Sequence, residues 1–215
     1  PLLLARERAG MAANADNRLS LSRVVAVLRS TPSVAAAIAA ISLAHAVMVG
    51  VMVMTPLHMA HGHAELRIIG IVISVHILGM FAFSPLVGWA ADVWGRSRMI
   101  ALGSVLLVIS LAIAGVSPEG SSLEIFVGPF LLGLGRSCVT VAGATVVADQ
   151  VPIEARTDVQ GVADSIMALT AAVAAAVSGI IVDVAGYPAL NAVAAMFAAA
   201  VLGTALLTRS RNAVT

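Results

Sequence analysis

The stretch GWAADVWGRSR, residues 88–98, decides the fold, because it places an aspartate and two arginines between two long apolar runs. The run before the loop covers residues 68–91, and the run after it covers residues 99–116. About 20 apolar residues are enough for a helix to cross the hydrocarbon core of a membrane. The charged stretch is therefore predicted to be a short loop joining two membrane-spanning helices.

The composition predicts that most of the chain lies in a membrane. Hydrophobic residues make up 60% of the chain and charged residues 11%, whereas soluble domains carry roughly a quarter charged residues. Six apolar segments qualify as spans: residues 34–57, 68–91, 99–116, 123–148, 161–184 and 188–208. They lack the polar alternation of a β-barrel, and no basic run suggests a nucleic-acid partner. We predict an all-α membrane protein with six transmembrane helices in the lipid bilayer.

The arginines predict the orientation of these spans. Of the twelve basic residues, all arginine, only Arg67 falls on one side and Arg136 lies inside a span. The other ten share the opposite side: Arg6, Arg8, Arg18, Arg23, Arg29, Arg96, Arg98, Arg156, Arg209 and Arg211. Positive residues favour the cytoplasmic side. Both termini are therefore expected in the cytoplasm, with the bundle in the cell (inner) membrane.

The polar segment before the first span is predicted to be a cytoplasmic linker, residues 1–33, ahead of a bundle at 34–208 and a tail at 209–215. Within it, Leu21, Val24, Val25 and Leu28 share one helical face, with arginines beside them. This pattern favours a short amphipathic helix on the inner membrane surface. A flexible linker is the alternative.

Two charged elements resemble signatures of the major facilitator superfamily. The loop matches G-x-x-x-D-[RK]-x-G-[RK]-x-[RK] at Gly88, Asp92, Gly95, Arg96 and Arg98, and departs from it at Val93, where a basic residue is usual. A second element, Pro152-x-x-x-Arg156-x-x-x-x-Gly161, follows the fourth span. The resemblance implies two inverted three-helix repeats that form the C-terminal half of a twelve-span transporter. The implied partners are an N-terminal six-span half and a small-molecule substrate, with no cofactor.

The residue types of the loop suit a gate. Gly88 would let a neighbouring helix approach closely, and Gly95 gives the backbone freedom for a tight turn. Asp92 is suited to accept hydrogen bonds at another helix N-terminus. Arg96 and Arg98 would meet lipid phosphates or a carboxylate, for which Asp149 is the candidate. The alternative is a set of membrane anchors with a turn glycine, which does not explain Asp92.

Three ionisable residues lie inside spans and are predicted to line a substrate or proton pathway: His45, His76 and Arg136. A charge at the membrane centre is costly and is functional by default. Gly133 and Gly135 would let a helix or solute approach Arg136. For the histidines the alternative is a neutral ring bonded to a neighbour such as Ser42 or Ser74, and for Arg136 it is a shifted span in which Arg136 lines a water-filled crevice.

His58, His61 and His63 form an H-x-x-H-x-H pattern in an outer loop, but without a clear carboxylate partner they are predicted to be solvated, with no metal site.

The predicted function is secondary transport, in the form of proton-coupled efflux of an apolar or amphipathic compound. Uptake of a metabolite or sugar is the alternative. Two other classes are a non-transporting scaffold and a membrane-embedded hydrolase with Cys138 as nucleophile and His76 as base. The segment GRSCVTVAG around Cys138 offers no oxyanion-hole signature, so we predict that the protein is not an enzyme.

Overall fold

The computed structural model describes residues 21–209, with side chains as far as Thr208. Within this range the chain is helical and contains no strand. The elements are α1 (residues 21–30), α2 (Pro32–His61), α3 (Leu66–Phe81), α4 (Ser84–Trp94), α5 (Arg96–Gly115), α6 (Leu123–Gln150), a short 3-10 turn (Ile153–Ala155) and α7 (Arg156–Arg209). Residues 1–20 and 210–215, which include most of the predicted linker and tail, lie outside the described residues.

The last helix, α7, is two helices joined at a break. Gly186 has φ 81° and ψ 171°, which is not helical and requires glycine. Leu169 and Phe197 line one cavity, although their separation of 28 residues (197 − 169) would put them about 42 Å apart on a straight helix. The chain therefore reverses at Gly186, between the fifth and sixth predicted spans.

By length and composition, five helical stretches of the described chain are able to cross a membrane, and the last of them, Ile153–Thr208, contains this reversal. The stretch thus supplies two apolar segments, and the total is six. The inverted three-helix repeat within these segments stays a prediction.

The second predicted span is interrupted rather than continuous. Residues 68–91 were expected to form one helix, but α3 ends at Phe81 and α4 begins at Ser84. Pro85 explains the break, because it has no N–H to bond the carbonyl of Phe81 four residues earlier. Ser84 Oγ donates to the Met80 carbonyl at 3.2 Å and satisfies part of the interrupted ladder.

The helix ends gather at two ends of the bundle. We call the end holding Arg96, Asp149 and Arg156 the motif end, and the end holding Gly62 and Gly186 the far end. Contacts that define the motif end are the ion pair between Arg96 and Asp149, the hydrogen bond from Ser97 to the Ala205 carbonyl, and a buried cluster that includes Val24, Val34, Val151 and Val159. The described arginines follow the predicted grouping, with Arg67 at the far end.

Helix α1 packs on the motif end. Val24 is 2% exposed and lies in the buried cluster, with Leu28 packed against it. Leu21 is 51% exposed and Val25 is 44% exposed. Of the four residues of the predicted apolar face, Val24 and Leu28 pack on the bundle, and the placement of this helix on the membrane surface stays a prediction. Arg23 adds an ion pair to Asp158 at the start of α7, at 3.1 Å.

Helix α6 lies against α3 and α5 with its backbone close to theirs. A side chain at Gly133 would overlap the carbonyl oxygen of His76 in α3, and one at Gly135 would sit 2.9 Å from the carbonyl oxygen of Gly103 in α5. The prediction that Gly133 and Gly135 admit a neighbour is thus met by two helices of this chain. Small residues at such contacts are typical of membrane helix packing.

The surface of the bundle is rich in apolar side chains. Leu66, Leu78, Phe81, Leu86, Trp89, Leu169, Ile180 and Val184 are each more than half exposed. Together they leave a large apolar area uncovered by the described chain. This surface suits lipid or another membrane helix.

Candidate functional site

The motif loop is built around a glycine turn. Gly95 has φ 94° and ψ 142°, ends α4 and begins α5, as the motif predicts. This turn sets Arg96 in the first turn of α5, where its guanidinium pairs with the carboxylate of Asp149 near the end of α6. Both side chains keep contact with the exterior, at 30% and 45% exposure. The carboxylate partner proposed for the loop arginines is therefore found at Arg96.

The other loop residues have different surroundings. Arg98 donates to the Trp94 carbonyl at 3.3 Å and does not pair with Asp149. Asp92 is exposed, and its side chain has no hydrogen bond or ion pair with another residue between 21 and 208. A methyl group at Gly88 would lie 3.9 Å from Val141 Cγ1, an ordinary contact. The close helix approach predicted at Gly88 is thus not made by the described chain.

The second charged element, from Pro152 to Gly161, also lies at the motif end. Pro152 follows α6 and leads into the 3-10 turn, and Arg156 Nε donates to the Val151 carbonyl at 3.2 Å. Gly161 is exposed on α7, and a methyl group added there would have no described atom within 4 Å. Arg96 and Arg156 therefore both meet the C-terminal end of α6. The helix dipole favours cations there, because the last carbonyls lack partners within the helix.

Arg136 lies midway along α6, 13 residues from Leu123 and 14 residues from Gln150, or about 20 Å from either end. Its Nε–H donates to Nδ1 of His45 in α2, at 3.1 Å. The two predicted pathway residues thus contact each other. No Asp or Glu side chain in the described chain pairs with Arg136.

His76 makes a different contact. It is buried, and its Nδ1 lies 2.7 Å from the carbonyl oxygen of Pro129 in α6. A carbonyl only accepts, so Nδ1 carries the proton and Nε2 has a free lone pair. Nε2 has no partner among the described residues. The serine partners considered for the histidines are wrong, because Ser74 donates to the Gly70 carbonyl and Ser42 Oγ is also without a described partner.

The predicted pathway residues share one region between α2, α3 and α6. Pro129, Gly133 and Arg136 lie on one face of α6, since residues four and three apart are neighbours on a helix. His76 packs against this face at Pro129 and Gly133, and His45 meets it at Arg136. The region therefore holds the Arg136 cation, the His45 imidazole that accepts a hydrogen bond from it, and the buried His76 Nε2 without a described partner.

A cavity of about 490 Å³ lies between α2 and both parts of α7. Its walls are aliphatic apart from Phe197, Thr170 and Ser178. The hydroxyls of Thr170 and Ser178 donate to carbonyls of their own helix. None of the three predicted pathway residues lines this cavity. The cavity offers contact area to an apolar group but no free polar partner.

The far end holds a polar cluster that the sequence analysis missed. His58 is 8% exposed and stacks on Tyr187, with ring centroids 4.1 Å apart. Its Nε2 lies 3.3 Å from the carbonyl oxygen of Ser117, and the Tyr187 hydroxyl lies 3.0 Å from Thr55 Oγ1. The prediction of a solvated His58 is therefore wrong, whereas His61 and His63 are exposed. The described residues contain no cluster of three potential metal ligands.

Cys138 lies away from the histidines. It is buried, and its Cβ would be 3.0 Å from a methyl group at Gly103 in α5. On α6 this is the side opposite Pro129 and Gly133, where His76 packs. The geometry therefore separates the nucleophile and base considered for a hydrolase.

Comparison with known proteins decides the family. The chain matches the Major Facilitator Superfamily over residues 17–214. It belongs to the major facilitator superfamily. The resemblance of the two charged elements is confirmed by this match, and the chain is an all-α, multi-pass membrane protein of the superfamily.

Relatives within the superfamily include two proteins of Bacillus subtilis (strain 168), each named an uncharacterized MFS-type transporter. YddS is 35% identical over 150 residues, which cover 69% of this chain and 34% of YddS. YdeG is 31% identical over 169 residues, which cover 79% of this chain and 39% of YdeG. The MFS-type transporter gkaD of Penicillium citrinum is 27% identical over 117 residues, 54% of this chain and 20% of gkaD. The chain spans between a third and two fifths of the two bacterial relatives.

Within this superfamily chain, the contacts that sequence reasoning missed are all long-range. The pairing of Arg136 with His45 joins residues 91 positions apart, and that of Tyr187 with Thr55 joins residues 132 positions apart. The single signal that pointed to the first pair was the presence of two ionisable residues near the middle of their spans. Nothing in the sequence distinguished His58 from His61 and His63, because three closely spaced histidines after an apolar segment are typical of a polar loop.

Proposed function

We propose that this chain is the C-terminal half of a twelve-span secondary transporter that works by alternating access with an N-terminal six-span half. The share of each bacterial relative that the chain covers supports this proposal, as does the reversal at Gly186, which supplies the sixth apolar segment. In this proposal residues 34–208 form the bundle. Residues 1–33 and 209–215 lie in the cytoplasm on either side of it, at the cell membrane.

The observation that carries the proposal of transport is the contact between Arg136 and His45. An arginine at the centre of a span costs at least about 2.5–3.5 kcal/mol on translocon scales, and here its described partner is a neutral imidazole rather than a carboxylate. Because Arg136 makes the span less stable in the membrane, its role is functional rather than structural. We infer that its remaining N–H groups meet a carboxylate of the other half or an anionic group of the substrate.

Proton-coupled efflux of an apolar or amphipathic compound fits the polar groups better than sugar uptake does. A sugar site needs free amides and hydroxyls, because buried sugar hydroxyls need hydrogen-bond partners. Asn191 Nδ2 donates to the Tyr187 carbonyl, and the Tyr187 hydroxyl bonds Thr55. The buried amide and hydroxyl oxygens left without a described partner are Asn191 Oδ1, Ser42 Oγ and Thr140 Oγ1, which is fewer than the hydroxyls of a sugar. Of the polar groups in the spans, the histidines are those suited to carry a proton near neutral pH.

A gate at the motif end completes the proposal. Arg96, Asp149 and Arg156 hold the end of α6 against the start of α5 and α7. Asp92, exposed on α4, is then free to accept hydrogen bonds from a helix N-terminus of the other half when the cytoplasmic side closes. In this proposal Gly88, Gly95, Arg98, Pro152 and Gly161 shape the same gate.

Two other functions are weaker. A membrane-embedded hydrolase would need Cys138 near a base, and Cys138 lies on the side of α6 away from His76. A non-transporting scaffold gives no reason for a charged residue at the middle of α6. Transport gives a role to the charged residue at the middle of α6 and does not require a base near Cys138.

The test uses the full-length protein of this gene, reconstituted in liposomes that contain the pH dye pyranine. Ethidium and 8-anilinonaphthalene-1-sulfonate are added in turn as cationic and anionic amphipathic probes under an imposed pH gradient. We expect at least one probe to cause a proton flux that protein-free liposomes lack. Absence of flux with either probe, together with flux on adding a sugar such as lactose, would favour the uptake alternative.

The same assay tests Arg136 through Arg136→Lys, Arg136→Gln and Arg136→Ala, with Arg67→Gln, an exposed arginine at the far end, as the control. We expect loss of flux in the Gln and Ala variants and retention in the control. Unchanged flux and pH dependence in all three Arg136 variants would remove Arg136 from the transport site.

A further inference from the structure

We propose that His45 is a proton-dependent positioning residue for Arg136: neutral His45 holds the guanidinium, and a proton on His45 releases it. The inference rests on the proposed function and deepens it, because it names the residue through which proton binding acts on the substrate site. It depends on one hydrogen bond and on which atoms of that bond carry protons.

The direction of the hydrogen bond fixes the protonation of His45. Arg136 Nε carries a hydrogen and donates to Nδ1 of His45 at 3.1 Å. A guanidinium has no acceptor, so Nδ1 must offer its lone pair. The ring is therefore neutral, with its proton on Nε2. Arg136 is held only while Nδ1 is unprotonated.

Protonation of Nδ1 breaks this contact for two reasons. A doubly protonated ring has donors at both nitrogens and cannot accept from Arg136. The ring and the guanidinium are then two cations at hydrogen-bond distance in a half-buried place, where repulsion is screened less than in water. One of the two side chains must move, and Arg136 has the longer and more flexible stem.

Arg136 is the charged side chain next to His45 in the described chain. It is the charged group that acts on His45 among the described residues, and no acidic side chain of α3, α5, α6 or α7 offsets it. His76 on α3 is the other titratable group of this region, and its Nδ1 is bound to the Pro129 carbonyl. Proton binding at His45 is thus opposed by Arg136 as long as Arg136 stays in place.

The consequence for transport is an exchange of partners. When a proton reaches His45, the Arg136 guanidinium leaves Nδ1 and is free to bind a carboxylate of the other half or an anionic group of the solute. When the proton leaves, Nδ1 accepts from Arg136 again, and that anionic partner loses the Nε–H. Proton binding at His45 and anion binding at Arg136 then favour each other, and loss of the proton favours release of the anion, as coupling through one side chain requires.

The first test compares two substitutions of His45 in the full-length protein, in the pyranine liposome assay, from about pH 5 to about pH 8, where histidine changes charge. His45→Asn keeps a δ-position oxygen that accepts from Arg136 at every pH, whereas His45→Leu removes the acceptor. We expect both variants to lose the pH-dependent proton flux with the responding probe, because in His45→Asn the amide holds Arg136 at every pH and in His45→Leu no acceptor takes Arg136 back from its anionic partner. His61→Asn, an exposed histidine of the same helix, is the control and should behave as the wild type. Wild-type pH dependence in His45→Asn would overturn the proposal.

The second test does not depend on transport, so its failure is separate from that of the proposed function. Full-length protein with ¹⁵N-labelled histidine and arginine is studied in lipid nanodiscs by NMR. We expect the Nε2–H tautomer of His45 at alkaline pH, a coupling between Arg136 Nε and His45 Nδ1, and loss of that coupling as His45 becomes doubly protonated on acidification. A His45 ring that carries its neutral proton on Nδ1, or that stays neutral down to about pH 5, the acid side of the usual histidine range, would contradict the switch. If neither amphipathic probe moves in the first test but this titration is seen, the proposal of amphipathic efflux fails and the switch stands.

Discussion

His58 and Tyr187 stack face to face, with ring centroids 4.1 Å apart and ring planes inclined by 15°. His58 belongs to the last turn of α2, and Tyr187 directly follows the reversal at Gly186 in α7. This contact, with the neighbouring bond from Tyr187 to Thr55, fixes the far end of the bundle. It gives a stability prediction that is independent of transport.

Tyr187→Phe should lower the free energy of unfolding by about 0.5–1.5 kcal/mol, because it removes one buried hydrogen bond and keeps the stacked ring. Thr55→Val should have an equal or larger effect, because it also removes the bond from Thr55 Oγ1 to the Val51 carbonyl. The double variant should cost less than the sum, since both changes remove the same bond. Denaturant unfolding of the full-length protein in detergent measures all three. Strictly additive costs would show that the two hydroxyls do not interact.

Gly95→Ala should destabilise the protein by about 1–3 kcal/mol, because φ 94° with ψ 142° is a region that residues with a side chain occupy only under strain. Gly161→Ala is the matched control from the second element. Gly161 is helical and open, and the change should be neutral or stabilising by about 0.5–1 kcal/mol. Thermal unfolding of both variants distinguishes them. Equal midpoints would mean that Gly95 relaxes to an ordinary turn.

Exchanging the charges of Arg96 and Asp149 should have a small effect on stability. Both side chains are about a third or more exposed, and an exposed ion pair is worth about 0–1 kcal/mol. Each single reversal, Arg96→Asp or Asp149→Arg, should reduce transport in the liposome assay, and the double reversal should restore part of it. A double variant no better than the worse single variant would argue that the pair acts through its separate charges.

Asp92→Asn should reduce transport without changing unfolding, because Asp92 has no partner in the described chain whose loss would destabilise the bundle. Glu154→Gln, an exposed acid at the same end, is the control. Transport rate and thermal midpoint are measured on the same full-length preparations. A lower midpoint in Asp92→Asn alone would assign Asp92 a structural role.

Single cysteines in a Cys138→Ala background test the orientation. Glu65→Cys at the far end should react with an impermeant thiol reagent in intact cells, and Glu154→Cys at the motif end should react only after the cells are opened. Both positions are exposed, so access to the reagent depends on the side of the membrane. Labelling in the reverse order would place the motif end outside.

Local chemistry explains which features were predictable. The apolar segments, the glycine turn at Gly95 and the family followed from composition and from motifs that each occupy one short stretch. The break before Pro85 also had a local cause in the missing N–H of proline. The break was not predicted, because a hydropathy pattern describes how apolar the side chains are and not whether each backbone carbonyl has a hydrogen-bond donor.

The partners within the bundle were predictable only in part. Asp149 was identified for Arg96 because both lie at helix ends on one side, which the order of spans determines. The partner of Arg136 depends on the rotation of α2 and α6 about their axes. That rotation is set by close contacts such as the one at Gly133, and a single sequence does not specify it.

The reversal at Gly186 bears on how this protein can be modified in the laboratory. Two helices meet there with a single non-helical residue between them and with Tyr187 already buried. Proteases and inserted tags need an exposed, deformable loop, and this corner provides none. An epitope tag or fluorescent reporter placed between the last two helices would push apart the stacked rings, so the exposed residues 118–119 between α5 and α6 are the better place for one at this end of the molecule.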